Sequence, residues 1–176
     1  MINIKDQVDK HLYPYREKIG GMYEGYRNHV CRVVENCKVL DTDPDNLGKY
    51  IIAGVFHDIG IWTHATIDYL APSILVAEEY LKQNHPDFAG MEITRMINWH
   101  HKTTAYSGDF QKTVNVFRKA DWIDVTFGLI SFGVDHGTLK YNRYKYPDHG
   151  FHSFLLRKTF GNVLRHPLRP LPMFRL

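Results

Sequence analysis

Apolar positions in this chain recur every three to four residues in one segment after another, and no stretch holds the two-residue alternation of a strand. Over residues 22–40 the stripe is Val30, Val33, Val34, Cys37 and Leu40, which predicts a first long helix. Thr42-Asp43-Pro44-Asp45 breaks it. Asp43 suits an N-cap, Pro44 the first helical position, and Asp45 the positive end of a helix dipole. A second helix is expected from Pro44 to Phe56, with Leu47, Ile51 and Val55 on one side, followed by a loop holding Trp62 and His64. Pro72 opens a third, from Ser73 to about Gln83, with Ile74, Ala77, Glu78 and Leu81 in phase. His85-Pro86 resets the chain for a fourth, roughly Asp87 to His101, with Ile93, Met96, Ile97 and His100 on one face. Lys102 to Gly108 reads as a polar loop, and a fifth helix covers Phe110 to Phe132, with Val114, Phe117, Asp121 and Val125 in register. Residues 134–150 are rich in Gly, Tyr, His and basic side chains and read as a long loop. A final helix is expected over Phe151 to Leu164. The tail from Arg165 to Pro172 carries three prolines, cannot be helical throughout, and is expected to wrap the surface or lie disordered.

This pattern gives an all-α domain spanning residues 1–176, with a core over about 22–132 and a C-terminal loop, helix and Pro/Arg-rich tail over 133–176. A length of 176 residues suits one domain, and 44% hydrophobic residues suffice for a core. The formal charge of +3 is compatible with a small anionic substrate, a nucleotide among them, and too weak to argue for nucleic acid. Cys31 and Cys37 stand on different faces of a predicted helix and do not pair, and two reduced thiols fit a cytoplasmic protein. The polar segment Met1 to Lys10 does not resemble a signal peptide, and no apolar run reaches the roughly 20 residues a membrane helix needs. Homo-oligomerisation is left open.

Histidine changes the picture, with eleven in the chain. The dipeptide His57-Asp58 ends the apolar run Ile51-Ile52-Ala53-Gly54-Val55-Phe56 and is followed by Ile59-Gly60-Ile61-Trp62. Burying an imidazole and a carboxylate there is costly unless something compensates them, and a bound cation is one good compensation. His57 could simply cap a helix C-terminus, but Asp58 is unfavourable at that end of the dipole. Asp121 shares a helical face with Val114, Phe117 and Val125, so it points inward and needs a partner. His29 lies at the edge of the first apolar stripe, where a histidine reads as a core residue as readily as a ligand. Nitrogen and carboxylate donors of this kind suit a divalent first-row ion, Mn, Fe, Co, Ni or Zn.

On these residues the chain resembles the HD-domain metal-dependent phosphohydrolase superfamily. The matching segments are His29-Val30-Cys31-Arg32-Val33, then Gly54-Val55-Phe56-His57-Asp58-Ile59-Gly60, then Lys119-Ala120-Asp121, and the resemblance covers roughly residues 22–130. It implies a helical bundle of about six to seven helices with His29, His57, Asp58 and Asp121 as metal ligands in its core. Two features depart from the family. Ile61 stands where many members carry a lysine and where the 5′-nucleotidase branch carries an acid. The additional histidine of the binuclear branches is missing around Ala71-Pro72-Ser73, which favours one ion over two, with His64 as a substitute from the loop. His100-His101 matches a histidine-rich end of the fourth helix in several branches, and can ligate a second metal, contact phosphate or act as general acid. Alternatively His100 packs inward and His101 caps the helix.

The resemblance implies a metal-activated water attacking a phosphate ester or nucleotide, with Asp58, His64, His100 and His101 as the catalytic group. Lys102 and Arg32 lead the cations available to bind an anionic substrate, and the aromatic segment Tyr141 to Tyr146 can stack on a base, cover the pocket or simply pack on the surface. Two other classes stay open: a non-phosphate HD enzyme (a small-molecule hydratase or a di-iron oxygenase), and a catalytically silent regulatory module.

Overall fold

A computed structural model describes residues 3–85 and 88–165. Among these residues there is helix and no strand, as the apolar periodicity predicts. In chain order the α-helices are α1 (Ile4–Leu12), α2 (Arg16–Ile19), α3 (Tyr23–Leu40), α4 (Leu47–Phe56), α5 (Gly60–Thr63), α6 (Leu70–Asn84), α7 (Gly90–Trp99), α8 (Gln111–Val125), α9 (His136–Lys145) and α10 (Phe151–Arg165). None is long and apolar enough to cross a membrane.

The centre of the bundle is α3 and α4. Every residue from Tyr50 to Phe56 is buried, because α1, α3, α6 and α7 surround α4. A helix apolar on all sides is stable only in such a position. Its C-terminal end, and so His57-Asp58, is therefore delivered into the middle of the protein. Gly54 lets α3 approach: a Cβ there would stand 3.1 Å from Val30 Cγ1. On α3 the buried polar residues His29, Arg32 and Asn36 share one face by their three- and four-residue spacing, and that face meets α8. Asn36 donates to the Ala120 carbonyl at 3.2 Å.

Several elements differ from the sequence reading. Residues 134–150 are not one long loop but contain α9, started by Asp135, whose side chain accepts from the Thr138 amide at 2.9 Å. Tyr141 and Tyr144 project outward from α9 and are exposed, while Tyr146 is buried. The N-terminal segment forms α1, with Asn3 as its cap and Ile4, Val8, His11 and Leu12 on the buried face. The fifth expected helix, α8, stops at Val125 and not at Phe132. Phe127 and Gly128 take positive φ (57° and 79°), which a right-handed helix cannot continue through. Four residues after the HD pair form α5 in place of loop. The third helix begins two residues before Pro72, which sits in the first turn, where its missing N–H breaks no intrahelical bond. Asp87, the expected start of the fourth helix, and the tail beyond Arg165 lie outside the described residues; α7 begins at Gly90. Cys31 and Cys37 are both buried and free.

Gly60 fixes where the chain goes after the HD pair. Its amide donates to the buried Ser73 hydroxyl at 2.9 Å. An added Cβ would lie 2.6 Å from the Tyr69 carbonyl oxygen and 3.0 Å from the Ser73 nitrogen, both rigid backbone atoms. Gly60→Ala is therefore expected to destabilise the protein by about 1–3 kcal/mol, because α5 and α6 must separate. The melting temperature should fall on the order of 5 °C by circular dichroism; an unchanged melt would contradict this contact.

Candidate metal centre

The described residues bring together three side chains from three helical elements and one from the turn after α4. His29 comes from the middle of α3, His57 from the C-cap of α4, Asp58 from the following turn, and Asp121 from α8. All are almost fully buried. His29 Nε2 and His57 Nε2 are 3.0 Å apart. Asp121 Oδ1 lies 3.5 Å from the first and 3.7 Å from the second. Asp58 Oδ2 is 3.4 Å from His57 Nε2, while its Oδ1 is 3.5 Å from Nε2 of His100, at the end of α7.

The outer nitrogens of the imidazoles set the chemistry of the inner ones. His57 Nδ1 is 2.7 Å from the Gly54 carbonyl, and His100 Nδ1 is 2.7 Å from the Ile97 carbonyl. A carbonyl only accepts, so both Nδ1 atoms carry hydrogen. His29 Nδ1 is likewise 2.7 Å from the Asp124 carboxylate. In the neutral rings each Nε2 then presents a lone pair. Three lone pairs and two carboxylates thus face one buried region, at separations mostly longer than ordinary hydrogen bonds. Asp58 Oδ1, Asp121 Oδ1 and His100 Nε2 have no hydrogen-bond partner.

Such a constellation needs positive charge. A proton can supply some of it: burial works against a charge on His57, but the Asp58 and Asp121 carboxylates outweigh it and hold the imidazole up at about 9. Asp58 is held well below the usual carboxylate range by His57 and His100 against its own burial, whereas burial keeps Asp121 raised. One proton satisfies a single pair of atoms, and a divalent cation satisfies the whole set. Two ligand atoms each about 2.1 Å from one ion, at right angles, stand about 3.0 Å apart, which is the observed spacing of the two Nε2 atoms. His29, His57 and Asp58 form one group of donors that can hold a metal ion. Asp58, His100 and His101 form a second, each with its ligand atoms within 4.8 Å of one another, so Asp58 belongs to both.

Behind His29 stands a residue that the sequence reading missed. Asp124 accepts from His29 and, in bidentate fashion, from Arg32, with Nε 2.6 Å from Oδ1 and Nη2 2.9 Å from Oδ2. Arg143 and His152 reach its backbone carbonyl at 2.7 and 3.0 Å. Burial would raise the Asp124 carboxyl, but the Arg32 charge and the bonds from His29 and Arg32 hold it far below the usual range. A permanent carboxylate on Nδ1 fixes the ring's tautomer and strengthens its Nε2 as a ligand. Tyr26 is a second missed residue. Its hydroxyl donates to the Val55 carbonyl at 2.9 Å and accepts from the Asp58 amide at 3.3 Å, tying the HD turn to α3. The only sequence cue was the repeated three-residue offset: His29 to Arg32 on one helix, Asp121 to Asp124 on another.

The remaining predicted site residues divide. His100 and His101 do reach the site. Their rings are 3.8 Å apart, and His101 Nε2 meets the Tyr69 hydroxyl at 2.5 Å. Burial, reinforced by His100, drives the His101 pKa well down, so it stays neutral. Arg32 is corrected. Its guanidinium is buried and committed to Asp124 and, through Nη1, to the Tyr146 carbonyl at 2.7 Å, so it is not presented to a substrate. His64 is also corrected: α5 carries it outward, where it is exposed and bonds its neighbour Thr63 at 3.0 Å. Lys102 is buried with Nζ 6.0 Å from the centre of the Trp99 ring, and it does not line the cavity that opens beside His101.

The chain matches no family model, and it has no significant match among curated proteins or solved structures. The donor geometry therefore stands on its own. It predicts that Asp124→Asn weakens metal affinity about 10–100-fold, read by competition with a chelator, while the protein stays folded. Unchanged affinity would contradict the role given to Asp124. Arg32→Ala, which strips a buried carboxylate of its partner, is expected to cost about 3–5 kcal/mol in denaturant unfolding. A loss confined to substrate affinity would contradict its placement.

Proposed function

We propose that this protein is an HD-domain metal-dependent hydrolase acting on a small phosphate ester. The observation that carries the proposal is the convergence of the His29 and His57 Nε2 atoms on the unsatisfied carboxylates of Asp58 and Asp121. The order of these residues along the chain and the all-helical architecture support the same family. The ion, one of Mn, Fe, Co, Ni or Zn, would be held by His29, His57, Asp58 and Asp121, and the second donor group gives another ion a place against Asp58. When bound, such an ion lowers the pKa of a coordinated water to about 7 and polarises a phosphoryl oxygen.

The chain's own residues divide the remaining work. Asp124 and the Gly54 carbonyl hold His29 and His57 with their lone pairs inward. Phe151 covers His29, with ring centres 4.6 Å apart, and Phe117 packs edge-on against His57, which keeps bulk water from the ligands. Burial raises the Tyr69 phenol, with Asp58 adding to it, so this hydroxyl stays protonated and can donate. His101 is hydrogen-bonded to that hydroxyl at 2.5 Å. These two are the groups best placed to move a proton between water and a leaving oxygen. One observation favours a second reading, hydration of a small neutral molecule by the same centre: among the described residues no lysine or arginine lines the cavity beside His101.

The test is a screen of phosphomonoesters and phosphodiesters with the purified protein in added Mn, Co, Ni or Mg, beside Asp58→Ala. Phosphate release that depends on the ion and falls to background in the variant is expected. Absence of metal-stimulated release across the panel would overturn the phosphohydrolase reading, and turnover of a nitrile-like molecule without phosphate would install the second one.

A further inference from the structure

Next to the metal group the fold leaves a cavity of about 350 Å³, of small-molecule size. Its walls are apolar. Ile61 comes from α5, Ile67 from the loop after it, Val125 from the last turn of α8, and Leu155 and Leu156 from α10. Tyr69 and His101 line it as well. His101 belongs to the donor group with Asp58 and His100, so this end of the cavity is one edge of the candidate metal centre.

The distribution of cations is the second observation. Among the described residues no lysine or arginine lines this cavity. Arg32 and Arg143 are turned onto Asp124, and Arg118 donates to the Lys102 and Thr103 carbonyls. Arg157 and Lys158 neighbour the lining residues in sequence but stand on another face of α10. Residues 152, 155, 156 and 159 fall on one face of α10 and residues 154, 157, 158 and 161 on the opposite one. Those four line a neighbouring open groove, which shares only Ile67 with the cavity. A nucleotide entering the cavity would therefore bury ribose hydroxyls and, where it has them, further phosphates with nothing to meet them, which is costly. A compact hydrophobic group would lose only water.

We propose that this cavity receives the apolar, ring-sized body of the substrate, with its reactive group against Tyr69 and His101. The substrate class is then a monoester of a hydrophobic alcohol or phenol, not a nucleotide. This rests on the phosphohydrolase reading for the ester and not for the hydrophobic group. In the reaction, water's oxygen bonds to phosphorus and the ester P–O bond breaks. The leaving oxygen keeps the electron pair and takes a proton from the hydrogen-bonded Tyr69–His101 pair, water gives one proton back to that pair, and the pair ends with the protons it began with. The products are phosphate and the hydrophobic alcohol, which stays in an apolar chamber until it diffuses out.

Calorimetric titration of the metal-loaded protein with 1-naphthyl phosphate, 1-naphthol, AMP and inorganic phosphate tests this, with hydrolysis of the two esters measured alongside. Both naphthyl compounds should bind about tenfold or more tighter than AMP. Thr159→Trp, on the half-exposed face of α10, and Val125→Phe each fill the chamber from a different wall. Each should weaken naphthyl binding about tenfold or more while metal content and phosphate binding persist. AMP binding as tightly as 1-naphthyl phosphate, or naphthol binding untouched in both folded variants, would overturn the proposal. Naphthol binding that the variants abolish, with no phosphate released from any ester, would keep the chamber and remove the phosphohydrolase reading. Hydrolysis of AMP at the rate of the naphthyl ester would do the reverse.

Discussion

Buried negative charge and inward lone pairs, gathered at one point, are the constraint on which the rest of the structure turns. His29, His57 and His100 each give their outer nitrogen to an acceptor, so their inner nitrogens cannot satisfy one another as neutral rings. Asp58 and Asp121 add carboxylates to the same region. In a low-dielectric interior this arrangement calls for positive charge, and its donors are spaced so that they could hold a metal ion. The donors are also held from behind by residues with no other evident task, above all Asp124. Its two oxygens and backbone carbonyl together engage His29, Arg32, Arg143 and His152.

The surrounding fold follows from the need to bury that group and still reach it. α4 is apolar on all sides, so it can run through the middle of the bundle and end there. Gly54 allows α3 to close on it, and Gly60 allows the chain to turn tightly under α6 after the HD pair. The α3–α8 pairing supplies the opposite wall, with polar residues on the facing sides of both helices. On the remaining side, Tyr69 and His101 separate the donors from an apolar chamber closed by α10. The centre is thus polar, its surroundings apolar, and Arg32 and Arg143 are committed to Asp124.

Much of this was legible in the sequence, for a physical reason that differs from element to element. α3, α4 and α8 carry enough buried apolar residues for the helical period to stand out, and His29, His57-Asp58 and Asp121 could be read because they are polar groups at apolar positions. α9 was not legible: Leu139 is its one buried apolar residue, and its signal is the Asp135 cap. The early end of α8 depends on positive φ at Phe127, which no pattern of polarity announces. Asp124 escaped notice because its partner Arg32 is 92 residues away in sequence, so their pairing exists only once α3 and α8 are packed. The same packing removed Arg32 from the list of substrate ligands, since an arginine is a free cation in a sequence and a committed one in a core. His64 failed differently: a short helix after the HD turn points it outward.

The central claim is that these side chains hold a metal ion. Anomalous diffraction from crystals of the protein saturated with Mn or Zn tests it most directly. The account predicts an anomalous peak about 2.0–2.3 Å from Nε2 of His29 and His57 and from carboxylate oxygens of Asp58 and Asp121. Metal-saturated crystals with no peak among these residues would contradict it.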